Sequence, residues 1–142
     1  KAFPFTKPKV DGLNFSFSGL KTQILYFIQK NVAENPNFIE ENKADICASI
    51  QYTIINILMD KLKLAVAETG INQIAIGGGV SANSGIRTTL KEAEKKYGWK
   101  TYIPKFEYTT DNAAMIGIVG YYNFLEENFS NADVVSKARI EF

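Results

Sequence analysis

The chain has 142 residues, 46% of them hydrophobic and 22% charged, with a formal net charge of +1. That length suffices for one domain with a real core, and the near-neutral balance makes any basic surface a local one. With the single cysteine Cys47 and no histidine, the chain has no internal disulfide, no multi-thiolate or histidine metal site, and no Ser-His or Cys-His catalysis of its own. No apolar run approaches a membrane span and no signal segment is read at the start, so a cytoplasmic protein with no membrane partner is expected. The first residue is Lys1 rather than Met, and a longer parent chain that carries the missing histidines is expected.

Residues 1–12 hold Pro4 and Pro8 and end in Asp11-Gly12, the pattern of an edge strand or extended arm closed by a turn. Leu13 to Ser18 alternates apolar and polar residues, which predicts a half-buried strand and a hairpin across residues 3–17. Phe3, Phe5, Phe15 and Phe17 then read as core residues. Ser18 is the N-cap candidate for a helix whose Leu20, Ile24, Phe27 and Ile28 recur at helical spacing. That helix should end near Asn31, ahead of Asn35-Pro36 and a short polar linker. A long helix follows, from about Lys43 to Glu68, with Ile46, Ile50, Ile54, Ile57, Leu58, Leu62 and Ala65 as its stripe and Gly70 past its end. Cys47 lies in this pattern and reads as a small buried hydrophobe.

Ile74-Ala75-Ile76 is a short buried strand, followed at once by Gly77-Gly78-Gly79. Ser81 or Asn83 caps the next helix, with Ile86, Leu90 and Ala93 on its core face and Gly98 at its end. Trp99 to Ile103 is another strand, stopped by Pro104. A loop leads to Asp111, which opens a last helix to about Glu127, and residues 128–142 read as a polar tail. Alternation of strand and helix in the second half implies parallel strands, whose ligands bind beyond the carboxyl ends. The glycines and Thr109 to Asp111 both lie at such ends and should face one crevice.

Each candidate site has two readings at this level. The glycine turn, opening into a helix, is either a nucleotide or anion cradle or a tight turn with a capping Ser81 or Asn83. Asp111 is either a metal ligand or an N-cap carboxylate, and one carboxylate is an incomplete metal site. Ser16-Phe17-Ser18-Gly19-Leu20-Lys21-Thr22 is either a phosphate-contacting turn or a capped junction, and it lacks the Walker pattern.

Taken together, three stretches resemble one family: Ser16 to Thr22, Gly77-Gly78-Gly79-Val80-Ser81-Ala82-Asn83, and Thr110-Asp111-Asn112-Ala113-Ala114-Met115-Ile116-Gly117. They match, in order and spacing, the tRNA adenosine threonylcarbamoyltransferases, earlier known as O-sialoglycoprotein endopeptidases or glycoproteases. The resemblance runs from about Phe3 to Leu125. It implies an α/β, actin-like ATPase (ribonuclease H-like) fold, with residues 1–127 as the second, C-terminal lobe, a mixed sheet with flanking helices, and the first lobe absent. It implies Asp111 as ligand of one divalent metal, iron or zinc, completed by two histidines of the first lobe. Asn83, Gly78 and Gly79 would meet threonylcarbamoyl-AMP, the substrate, and no catalytic residue beyond the metal ligand is implied. The implied partners are tRNA, a noncatalytic paralogue forming a heterodimer, and a small P-loop ATPase subunit.

The implied reaction moves the threonylcarbamoyl group to the exocyclic amine of the adenosine beside the tRNA anticodon. With no histidine, the isolated chain is expected to be inactive. Tyr108-Thr109-Thr110 departs from the pattern of members, which often have cysteine before the Thr-Asp pair. The alternatives are a noncatalytic scaffold paralogue, or half of another actin-fold carbamoyl or phosphoryl transferase such as a sugar kinase.

Overall fold

The structure, a computed structural model, describes residues 2–135. Its α-helices are α1 (Ser18–Glu34), α2 (Phe38–Thr69), α3 (Ser84–Tyr97) and α4 (Ala113–Leu125), and its strands are β1 (Gln73–Ala75) and β2 (Lys100–Tyr102). Short 3-10 turns occupy Gly79–Ala82 and Phe106–Tyr108. The chain divides into two compact units, one of Lys1–Ile76 with Asn83–Ile103, the other of Gly77–Ala82 with Pro104–Phe142.

In the first unit the arm before α1 is extended, not a hairpin. Gly12 turns it with φ of 56°, as the Asp-Gly pair requires. Leu13, Phe15 and Phe17 remain exposed, and no strand pairs with them among the described residues. Alternation marks an extended segment, but only a neighbouring ladder makes it a strand, and prolines on both sides of Phe5 remove donors from such a ladder. Ser18 is the first helical residue, and the cap position falls to Phe17, which makes no side-chain cap bond.

The arm is nonetheless pinned. Phe3 N donates to Ser49 Oγ (3.1 Å), Thr6 N to Gln23 Oε1 (2.8 Å), and Lys61 Nζ to Val10 O (2.7 Å), while Lys7 pairs with Asp60. Phe3, Phe27 and Phe38 form an aromatic cluster with centroids 5.1–5.8 Å apart, and Phe5 joins it through Phe27. Phe15 and Phe17 stack on each other.

Helix α2 starts at Phe38, ahead of the expected Lys43, because Phe38 is an anchor of that cluster. Glu40 and Glu41 suit its positive end, and Gly70, at φ 71°, closes it with its N–H on Val66 O. Its 32 residues contain no glycine or proline to interrupt them. The helix buries two faces. Ile46, Ser49, Thr53 and Ile57 form one row, where Ser49 takes the Phe3 amide and Thr53 Oγ1 donates to Ser49 O (2.9 Å). The other face packs on α3 and the sheet through Met59, with Ile55, Leu58, Leu62 and Val66 around it. Cys47 falls between these faces and is exposed, contrary to the expected packing.

The sheet joins β1 and β2 in parallel, with Gln73, Ile74 and Ala75 opposite Lys100, Thr101 and Tyr102. Helix α3 connects them, so this is a β–α–β unit, and the expected mixed sheet is a two-stranded parallel one among the described residues. The missing antiparallel part is the Leu13–Ser18 segment, which stays unpaired. The core is Met59, Ile74, Ile86, Leu90, Ala93 and Trp99. Leu90 is 1% exposed, and truncating a leucine so placed costs roughly 2–5 kcal/mol.

The second unit contains the two 3-10 turns and α4. No residue of α4 is buried, although Met115, Ile116, Ile118, Val119, Tyr121 and Phe124 are large and apolar. A helix apolar on all sides belongs in an interior. Residues 128–135 have no helix or strand, and residues 136–142 of the expected tail lie outside the described residues.

Glu94 clamps α3 to β2. Its Oε1 accepts from Thr101 Oγ1 and Thr101 N (3.1 Å), and Lys91 Nζ donates to both carboxylate oxygens (3.0 and 3.1 Å). The Thr101 hydroxyl first, then Lys91, then the Thr101 amide hold its pKa down to about 2 from 4.5. A depressed carboxylate pKa contributes stability that is full above pH 4.5 and lost as pH falls through about 2. Glu94→Gln is therefore expected to lower stability near neutrality, and its deficit in urea unfolding should shrink steadily as pH drops across that window. A deficit independent of pH would refute the clamp.

Candidate functional site

The chain leaves β1 and turns at Gly78, whose φ of 74° lies in the left-handed region. A Cβ added at Gly77, Gly78 or Gly79 would meet nothing within 4 Å. Backbone conformation thus demands glycine at Gly78, while at Gly77 and Gly79 the space over the backbone is simply open. The glycines do not run directly into a helix, as expected from sequence. Gly79–Ala82 is a 3-10 turn in which the buried Ser81 bonds Gly78 O through both N (3.0 Å) and Oγ (2.6 Å). Helix α3 begins only at Ser84.

Asn83 caps α3. Its Oδ1 accepts from Ile86 N (3.0 Å) and its Nδ2 donates to Gln51 Oε1 (3.3 Å). These bonds satisfy one of the helix's orphan donors and tie the cap to α2. The amide still has a second lone pair and a second N–H to offer. Asn83 also stands at the rim of a groove of about 220 Å³ lined by Cys47, Ile50, Ile54, Ile55 and Ile86.

Asp111 is exposed, and it does not cap α4. That position is taken by Asn112, whose Oδ1 accepts from Met115 N (3.2 Å) and whose Nδ2 donates to Thr110 O (2.8 Å). Thr109, buried just before, folds back with its Oγ1 on Phe106 O (2.7 Å). The capping reading of Asp111 is thereby corrected: no hydrogen bond or ion pair engages its carboxylate among the described residues. Adjacent Asp and Asn are both good caps, and the signal that could have separated them is that the run of small helical residues begins directly after Asn112.

Gly78, Gly79 and Asp111 belong to the second unit and Asn83 to the first. Among the described residues no group of three or more histidine, cysteine, aspartate or glutamate side chains is placed to hold a metal ion. Within Ser16–Thr22, Thr22 Oγ1 donates to Ser18 O (3.2 Å), and neither Ser18 nor Ser16 caps α1. Sequence reading missed Gln51 and Asn112, the partner of Asn83 and the true cap of α4.

These features define an α/β protein with an open glycine turn at a strand end and an unengaged carboxylate at a helix start. Residues 1–118 match the family described as tRNA N6-adenosine threonylcarbamoyltransferase, and the chain belongs to that family. A protein of that name from Christiangramia forsetii is 66% identical over the whole chain, which covers 42% of the relative. Those from Riemerella anatipestifer and Porphyromonas gingivalis are 54% and 52% identical, over 99% and 98% of the chain and 41% of each relative. The chain thus spans about two fifths of the length of the curated relatives it matches.

The caps give a direct test of which side chains are structural. Asn83→Ala and Asn112→Ala are each expected to cost about 1 kcal/mol in urea unfolding, and Asp111→Ala to cost much less. A loss at Asp111 equal to that at Asn112 would restore the capping reading.

Proposed function

We propose that this chain is part of an enzyme that transfers the threonylcarbamoyl group from threonylcarbamoyl-AMP to the exocyclic amine of the adenosine next to the tRNA anticodon. The family match supports the reading, and the single observation that carries it is the Asp111 carboxylate, which stands exposed at a strand-to-helix junction with the capping task assigned to its neighbour. In the proposed reaction the adenosine amine attacks the carbamoyl carbon and the bond to the adenylate phosphate breaks. AMP leaves with the oxygen that joined its phosphate to the carbamoyl carbon, and the amine's proton passes to solvent.

Gly78 and Gly79 would admit the adenylate close to the backbone, since nothing stands over them within 4 Å. Asn83 would hydrogen-bond it through the amide valences that its cap leaves over. Asp111 would hold one divalent metal, iron or zinc, together with two histidines from the remainder of the full-length protein. Such a metal supplies Lewis-acid charge stabilisation or orients the substrate. A monodentate or bidentate carboxylate suits either ion, and the exposure of Asp111 leaves room for the other ligands.

The same reading takes residues 1–127 as the second lobe of an actin-like fold in a cytoplasmic protein. Its proposed partners are a noncatalytic paralogue and a small P-loop ATPase. No helix among the described residues is long and apolar enough to cross a membrane. The apolar surface of α4 would be covered by the remainder of the full-length protein.

In the full-length protein, Asp111→Ala is expected to weaken metal binding by more than about 100-fold, since even outer-shell partners cost 10–100-fold, and to abolish threonylcarbamoyl transfer. Metal analysis and a tRNA modification assay measure both, and normal turnover would refute the assignment. The isolated chain should self-associate through α4 in sedimentation velocity, whereas a monomer at all accessible concentrations would show that α4 needs no cover.

A further inference from the structure

A second concave surface of the first unit has a different character from the groove at Asn83. It is a cleft of about 610 Å³ between α3 and β2, lined by Arg87, Thr88 and Lys91 on the helix and Thr101, Tyr102 and Ile103 at the strand end. Arg87 and Lys91 line it, and the segment that forms it is rich in cations. Residues 84–103 hold five cations, Arg87, Lys91, Lys95, Lys96 and Lys100, against two carboxylates, Glu92 and Glu94, whereas the whole chain nets only +1. Neither carboxylate lines the cleft. Glu94 is turned toward Thr101 and Lys91 in the clamp already described.

Arg87, Lys91 and Lys95 recur at i, i+4 and i+8. They form one row along α3 with about 6 Å of helix axis between successive charges. That step is comparable with the step between neighbouring phosphates of a nucleic-acid strand. Thr88 adds a hydroxyl beside the row, while that of Thr101 is donated to Glu94. Tyr102 is 45% exposed, its hydroxyl is fixed on Gln73 Oε1 (2.9 Å), and Lys100 Nζ stands 5.3 Å from its ring centroid. Hydroxyls, a guanidinium, ammonium groups and an anchored aromatic are the side chains that position a sugar-phosphate backbone.

We infer that the α3–β2 cleft is an RNA-backbone surface, which holds the tRNA substrate by its phosphates through residues distinct from those proposed for the adenylate. This rests on the tRNA-modifying reading above and adds to it a place and a set of contacts. The contacts carry no base specificity. They fix register and raise the encounter rate, and they make binding salt-dependent.

The test uses the full-length protein with Arg87→Gln, Lys91→Gln and Thr88→Glu. The last adds a negative charge at an exposed helical position and removes no bond seen in the structure. Binding of labelled tRNA is followed by fluorescence anisotropy across a salt series, with threonylcarbamoyl-AMP binding measured in parallel. Each variant is expected to weaken tRNA binding by about tenfold at low salt. The slope of log affinity against log salt should fall by about 1 for each phosphate that is no longer neutralised, with adenylate affinity unchanged.

Unchanged tRNA affinity in all three variants, with wild-type binding intact, would overturn the cleft and leave the enzyme reading standing. Weakened adenylate binding with normal tRNA binding would overturn it in favour of a small-nucleotide site. Failure of the wild-type protein to bind tRNA would overturn both.

Discussion

The first unit depends on how closely the first turn of α3 lies against α2. A Cβ on Gly85 would stand 2.8 Å from Ile55 Cδ1, 2.9 Å from Gln51 Nε2 and 3.2 Å from Asn83 Oδ1. The hydrogen side chain lets the helices meet there, and that approach brings Asn83 within reach of Gln51. From this contact α3 runs on through Ile86, Leu90 and Ala93 into the core, and Glu94 then fastens β2 behind it. The cap that starts α3 is therefore set by one helix–helix distance. The amide of Asn83 is thus partly spent on structure, on Ile86 N and on Gln51.

Much of this was legible in the sequence wherever a local signal decided the outcome. Gly70 and Gly98 end their helices with positive φ, and Ile86, Leu90 and Ala93 face the core as their spacing implies. Where a partner decides, the sequence was ambiguous. Phe3 and Phe15 share one alternating pattern, yet Phe3 packs on Phe27 and Phe38 while the exposed Phe15 stacks on Phe17. Ser49 and Thr53 interrupt an apolar stripe and are nonetheless buried, because the arm lays the Phe3 amide on Ser49. Asp111 and Asn112 are equivalent candidates by chemistry, and only the register of α4 separates them.

The site divides along the same line. Motif spacing singled out Gly78, Gly79, Asn83 and Asp111, and the structure shows what each is free to do. The glycines leave open space, Asn83 has valences left after its cap, and Asp111 has its whole carboxylate unengaged. In the proposed reading such a set would bind and orient. It holds no hydroxyl, thiol or amine nucleophile, in keeping with a proposed chemistry that lies between the substrates and a metal. The exposed apolar helix α4 and, in the proposed reading, the lone carboxylate of Asp111 ask for the same thing, further protein that covers the one and completes the other.

The most direct test is a crystal structure of the full-length protein with its metal and a threonylcarbamoyl-adenylate analogue, with the metal placed by anomalous scattering. Expected is a metal peak about 2.0–2.2 Å from an Asp111 oxygen, with the Asn83 amide hydrogen-bonded to the adenylate and the adenylate lying over Gly78 and Gly79. A metal held without Asp111, or an adenylate bound away from the glycine turn, would contradict the assignment.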